Sequence, residues 1–183
     1  MPKIQEIEET PNPNAIKFIL KEPVTTGAAR SFMKRADADA DALAKSLFDV
    51  GEVVTVFYMG NMITVEKEDL SDWDDLLPRL AVPIRAAEAA QGGASMATNA
   101  DGSTYQSDDP RLPRINEILD ERIRPALAGD GGWLDILKLE DDTLTIKYQG
   151  ACGSCPSSIS GTLMAIEGML RAEVDPALEV VTV

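Results

Sequence analysis

Apolar and polar positions change their period several times along this chain, and each change marks an element. The dense apolar run Ala15-Ile16-Lys17-Phe18-Ile19-Leu20 follows Thr10-Pro11-Asn12-Pro13-Asn14, whose prolines and asparagines favour turns, so a strand is expected there. The period becomes helical across Asp39 to Phe48, where Ala40, Leu43, Ala44 and Leu47 share one face. Val53 to Tyr58 and Met62 to Val65 are β-branched and aromatic runs joined through Met59-Gly60-Asn61, the pattern of a hairpin. Ser71 is suited to cap a helix in which Trp73, Leu76, Leu77, Leu80 and Ile84 recur at helical spacing, with Pro78 and Pro83 expected to bend it.

Residues 89–109 are rich in Gly, Ser, Asn, Thr and Asp and offer little to bury, which is the composition of a flexible linker. They separate an N-terminal domain, residues 1–88, from a C-terminal one, residues 110–183. The second part opens at Asp109-Pro110 with a helix whose buried stripe is Leu112, Ile115, Ile118, Leu119 and Ile123, and Pro125 is expected to kink or end it. Two strands follow, Trp133 to Leu139 and Thr143 to Tyr148, with Asp141-Asp142 in the turn. A helix carrying Ile159, Leu163, Ile166 and Leu170 on one side and a last strand, Leu178 to Val183, complete the unit. The fold class expected is α+β: two small α/β-sandwich-type domains joined by a flexible linker.

Composition narrows what such a chain does. With 183 residues, 44% of them hydrophobic, it can bury a core, though two small domains would each be only moderately stable. A formal charge of −14 argues against nucleic acid, whose binding needs a basic stripe, and against an anionic membrane leaflet. No run approaches the roughly 18 apolar residues of a membrane span. The start, MPKIQEIEET, has neither a secretory signal's basic and apolar regions nor an Arg-rich amphipathic transit character, so a cytoplasmic location is expected. There is no histidine, which excludes Ser-His-Asp and Cys-His catalysis and any His-containing metal site within one chain.

Only two cysteines are present, Cys152 and Cys155, at C-x-x-C spacing, and this excludes a disulfide scaffold. Two intervening residues let both sulfurs turn toward one metal centre. Gly150, Ala151, Gly153 and Ser154 add little bulk, and Pro156 suits the first turn of a helix, so the thiols stand at a helix N-terminus that favours thiolate. Zinc, an iron–sulfur cluster and thiol–disulfide exchange are equal candidates on spacing alone, with small buried cysteines as the bland alternative. A tetrahedral zinc or a four-iron cluster wants about four ligands, which a symmetric dimer of this chain supplies. Exchange chemistry expects the pair within a βαβ pattern, whereas here it follows a hairpin.

Wider wording separates these readings. Ile123-Arg124-Pro125-Ala126-Leu127, Asp130-Gly131-Gly132 and Gln149-Gly150-Ala151-Cys152-Gly153-Ser154-Cys155-Pro156-Ser157-Ser158 resemble the C-terminal domain of NifU-like proteins. Thr10-Pro11-Asn12-Pro13-Asn14-Ala15-Ile16-Lys17-Phe18, Ser46-Leu47-Phe48 and Met62-Ile63-Thr64-Val65 resemble the domain that precedes it in Nfu proteins. The resemblance implies a carrier rather than an enzyme. It implies that Cys152 and Cys155 of two subunits hold one [4Fe-4S] cluster in a homodimer, which takes it from an upstream donor and hands it to apo iron–sulfur client proteins. The separate scaffold and ferredoxin-like domains of full-length NifU are lacking, which points to a downstream role. Trp133 departs from the family, which more often has aspartate there. The alternatives that stay beside it are a thiol–disulfide oxidoreductase using the same pair and a zinc-bridged structural dimer.

Other residues read more plainly. Asp130, between glycines, is a turn former or an orienting group for the cysteine loop, and Gly131 and Gly132 are backbone requirements. Asp37, Asp39, Asp41, Asp72, Asp74 and Asp75 read as solvated helix starts rather than paired catalytic carboxylates. Trp73 and Trp133 read as core or hairpin packing, while an exposed Trp133 would suit a dimer contact.

Overall fold

The computed structural model describes residues 2–26, 29–88, 105, 107–151 and 156–183, with the side chains of 156–158 excepted. The expected linker therefore falls almost wholly outside the described residues. Five strands form the first sheet: β1 (Ile4–Glu9), β2 (Ala15–Leu20), β3 (Arg30–Phe32), β4 (Val53–Met59) and β5 (Met62–Lys67), in spatial order β1-β2-β5-β4-β3. Every neighbouring pair is antiparallel. The β4–β5 hairpin turns at Gly60-Asn61 where expected, with Gly60 at φ 57°. Strands β1 and β3 were not foreseen. The alternation in β1, Ile-Gln-Glu-Ile-Glu-Glu, is broken by acidic residues, and β3 is only three residues long.

Two helices cover one face of this sheet. Helix α1 (Ala42–Phe48) is shorter than the expected Asp39–Phe48, because Arg35–Ala38 forms a separate 3-10 turn and Asp41 caps α1 by accepting from Ala44 N–H. Helix α2 (Trp73–Ala86) is capped by Asp72, which accepts from Asp74 N–H, and not by Ser71. It runs through both Pro78 and Pro83. Leu47, Leu76, Leu80 and Ile84 meet Phe18, Val56, Tyr58, Ile63 and Val65 in one core. The opposite sheet face is also covered: all six residues of β5 and five of six in β2 are buried, so neither strand shows the in-out alternation of a half-exposed sheet.

The C-terminal domain starts with α3 (Leu112–Ile118), a π turn (Leu119–Ile123) and α4 (Arg124–Gly129). Pro125 does not end the run, which continues through α4 behind the π turn. It lacks an N–H and its ring would crowd the carbonyl four residues back, and the wide turn just before it admits both defects. A three-stranded sheet follows, from β6 (Gly132–Glu140), β7 (Thr143–Gly150) and β8 (Glu179–Thr182). Strands β6 and β7 are an antiparallel hairpin closed at Asp141, and β8 returns parallel to β7 after helix α5 (Pro156–Glu173). One face of the sheet, with Leu134, Ile136, Leu144, Ile146 and Tyr148, packs on Ile115, Ile118, Leu119, Ile166 and Leu170. The expected stripe on α5 is thus the one that faces the core. No helix among the described residues is long and apolar enough to cross a membrane.

Candidate functional site

Cys152 and Cys155, the expected ligands, lie outside the described residues, and so do Gly153 and Ser154. The chain on either side is defined. Upstream, β7 ends at Gln149-Gly150 and runs into Ala151; downstream, Pro156 is the first residue of the 18-residue α5, the place where its missing N–H breaks no helical hydrogen bond.

Close backbone approach shapes the upstream side. Gly132 pairs with Gly150 across the hairpin, and Ala151 N–H donates to the Gly131 carbonyl at 3.2 Å. Gly150 sits at φ 68°, and a Cβ there would lie 2.5 Å from the Gly131 oxygen and 3.0 Å from Phe57 Cδ1. Gly131, at φ 78°, would place a Cβ 3.0 Å from Thr64 Oγ1 and from Thr10 Cγ2. The expectation that Gly131 is a backbone requirement is met; both of its contacts, and the Phe57 contact of Gly150, come from the N-terminal domain. Asp130, between Gly129 and Gly131, is exposed and its backbone closes α4.

Beside the glycines lies a group of buried polar and aromatic side chains. Trp133 is 1% exposed, as the reading of it as a packing residue expects and against the exposed alternative: it packs with Ala29, Phe57, Met59 and Met62 of the N-terminal domain. On its other side the Arg124 guanidinium stands 5.6 Å from the ring centroid. Arg124 is itself buried, paired with Asp120 at 2.6 Å and donating to the Leu134 carbonyl at 3.3 Å. The distance and the planar cation suit a cation–π contact. Gln149 Nε2 donates to the buried Asp135 carboxylate. Lys17 of β2, 4% exposed, pairs with Glu8 at 2.6 Å and donates to the Gly129 carbonyl at 2.6 Å.

Sequence reasoning missed Lys17 and Arg124 as buried groups, since a lysine between apolar residues and an arginine before proline carry no local signal of burial. The only available signal was their position inside the quoted motifs. Among the expected solvated carboxylates, Asp41 is different. Its side chain is 10% exposed, pairs with Arg30 at 2.6 Å and accepts from the Tyr58 hydroxyl. Burial pushes its carboxyl up, but Ala44 N–H, Tyr58 and Arg30 outweigh that and hold it below the usual value. Burial and the same carboxylate push the Tyr58 phenol well above its ordinary range. Asp39 does not start a helix: it follows the 3-10 turn and pairs with Arg35 at 2.9 Å.

Among the described residues no group of three or more His, Cys, Asp or Glu side chains is arranged to hold a metal ion. Two family models match the chain: "Scaffold protein Nfu/NifU N terminal" over residues 4–90 and "NifU-like domain" over residues 115–181. The human protein named "NFU1 iron-sulfur cluster scaffold homolog, mitochondrial" is 36% identical over 177 residues, covering 91% of this chain and 66% of its own length. A Drosophila willistoni protein of the same name is 33% identical, covering 91% of this chain and 58% of its own. This chain thus spans about three fifths of the curated relatives it matches. A crystal structure of Staphylococcus aureus protein SAV1430 aligns with 45% of this chain and 98% of its own, at 29% identity and a TM-score of 0.40.

Proposed function

We propose a function from one premise: the chain belongs to the Nfu family, with an Nfu-type N-terminal domain ahead of a NifU-like domain. On this reading it is an iron–sulfur cluster carrier. Cys152 and Cys155, as thiolates, hold one [4Fe-4S] cluster together with the same pair from a second copy. The cluster is cargo, received from an upstream donor and passed to apo iron–sulfur proteins.

The observation that carries this reading is the setting of the chain's two thiols. They are three positions apart, between the close-packed Gly150-Ala151 and the N-terminus of α5, within the stretch that matches the NifU-like domain. Two ligands per chain leave a four-iron cluster half-ligated, so a second copy completes the set. The helix N-terminus favours thiolate and offsets part of the cluster's negative charge. Transfer is ligand exchange: a client thiolate displaces a carrier thiolate at each iron in turn. No electron leaves the cluster in this exchange, and no acid or base is called for, in keeping with a chain that has no histidine.

Anaerobic incubation with ferrous iron and sulfide, followed by native mass spectrometry, tests the proposal. The expected species is a dimer heavier than two chains by one Fe4S4 unit, lost in both Cys152→Ser and Cys155→Ser proteins. A Cys152→Ser protein that keeps a full cluster would refute the ligand assignment. A monomer without added mass that turns over disulfide substrates, or a colourless dimer with zinc, would replace the carrier by the oxidoreductase or the structural reading.

A further inference from the structure

The first sheet ends at β3, whose side away from β4 faces no other strand. An edge of this kind presents main-chain N–H and C=O groups that a further strand can pair with. The second sheet closes the comparable edge of β8 with side chains of α5: Val180 N–H donates to Glu167 at 3.1 Å, and the Leu178 carbonyl accepts from Arg171 at 2.6 Å. Among the described residues no hydrogen bond closes β3 in that way.

Two cavities lie beside this open edge. The larger, of about 390 Å³, has an apolar lining of Val24, Leu43, Pro83 and Ala86, with Glu88 among its polar residues. The smaller, of about 270 Å³, touches all three residues of β3 together with Asp37 and Ala40. Both share Arg30 and Asp41, an ion pair at 2.6 Å, so one runs on from the other along β3. Arg30 stands opposite Tyr58 and Phe32 opposite Val56, and both partners belong to the core under α1 and α2. Side chains directly opposite in a ladder share a face, so Arg30 and Phe32 are on the helix side of the sheet. A strand added outside β3 would send every second side chain to that side, about 7 Å apart. Charge selects among the segments that fit. The two linings carry one cation, Arg30, against three carboxylates, Asp37, Asp41 and Glu88. Arg30 already satisfies Asp41, whereas Asp37 has only a loose pairing with the exposed Lys34, at 3.8 Å.

We propose that β3 is a strand-addition site for an extended, basic segment of a partner protein. The segment pairs with β3 as the sixth strand of the sheet, seats an apolar side chain among Val24, Leu43 and Pro83, and two residues away sets a lysine or arginine against Asp37. Main-chain pairing supplies the affinity and the alternate side chains the selectivity. The site uses neither thiol, so it goes beyond the carrier reading and gives the N-terminal domain a means of recognising a partner.

Phage-displayed random octapeptides selected on the full-length apo chain test this. The enriched peptides should carry an apolar and a basic residue two positions apart. A fluorescein-labelled synthetic copy of the most enriched peptide should shift the amide NMR signals of Ser31 and Phe32. In anisotropy titrations Asp37→Lys should weaken its binding by about fivefold, the effect of one exposed ion pair. Ala86→Leu, at an exposed position that lines the larger cavity, should weaken it by a similar factor. Asp75→Lys makes the same change of charge about 16 Å away along α2, and should alter binding by less than about twofold. Far-UV circular dichroism should be unchanged in all three variants. The Cys152→Ser, Cys155→Ser protein should bind the peptide as the parent does, so a failed carrier reading leaves this site standing. No enrichment over bare support, equal weakening by Asp37→Lys and Asp75→Lys, or amide shifts confined to β1 would overturn the proposal. Shifts at Ser31 and Phe32 that grow with protein concentration in the absence of peptide would also overturn it, because a second copy would then be the occupant.

Discussion

Replacing Gly150 by alanine tests how tightly the two domains and the hairpin are fitted at the root of the cysteine segment. At φ 68° a side chain makes the left-handed backbone unfavourable by about 1–2 kcal/mol. The added Cβ would sit 2.5 Å from the Gly131 oxygen and 3.0 Å from both Gly132 Cα and Phe57 Cδ1. The Gly131 carbonyl cannot withdraw without stretching its 3.2 Å bond from Ala151 N–H, so relaxation requires a backbone shift, and overpacking of this kind adds about 1–3 kcal/mol. The sum, about 2–5 kcal/mol, should lower the urea midpoint of the C-terminal domain by roughly 1–2 M. Fluorescence of Trp133 in the Trp73→Phe background and far-UV circular dichroism follow the transition, and their coincidence tests whether one transition is seen. Gly168→Ala is the control: it lies on the exposed side of α5 with no atom within 4 Å of the new Cβ, and should stabilise by about 1 kcal/mol. A loss below about 1 kcal/mol for Gly150→Ala would refute the close-approach argument.

Other outcomes follow from the same geometry. Asp72→Ala should cost about 1 kcal/mol by removing the cap on Asp74 N–H, while Ser71→Ala should be near neutral, and equal losses in thermal melts would contradict the cap assignment. The Arg111 guanidinium, hydrogen-bonded to Asp109, Asp142 and Asp175, holds the Asp109 carboxyl down to about 2 from an ordinary 3.8. Because the folded value is depressed, this stabilisation is present above about pH 4 and is lost as pH falls toward 2; Asp41 and Asp175, also lowered, act in the same direction. Carboxyl NMR titration should return Asp109 toward its ordinary value in Arg111→Gln, and no change would refute the assignment. Leu170→Ala, at a fully buried α5 position, should destabilise by about 2–5 kcal/mol in urea unfolding.

Several elements were legible because one local rule dominated each. Strand β2 and the β4–β5 hairpin matched because apolar runs met turn residues at both ends, and the α5 stripe matched because four apolar positions recur at helical spacing. The misses were competitions between neighbours of equal aptitude. Ser71 and Asp72 can both cap, and the carboxylate one residue later reaches Asp74 N–H. Pro125 is expected to kink or end its helix, and the helical run continues past it because a π turn precedes it.

By itself the sequence determined the two-part α+β organisation, the absence of histidine chemistry and the restriction of thiol chemistry to Cys152 and Cys155, since these depend on local period and on which residues exist at all. It also carried the resemblance that the family models bear out. Only the tertiary structure decided what covers the outer face of the first sheet. Lys17, Phe57, Met62 and Trp133 are buried because another domain folds onto them, and no window of neighbouring residues encodes a contact between positions more than 70 apart, such as Phe57 and Trp133. The same holds for Gly150, whose need for glycine comes from the Gly131 carbonyl on one side and the Phe57 ring on the other.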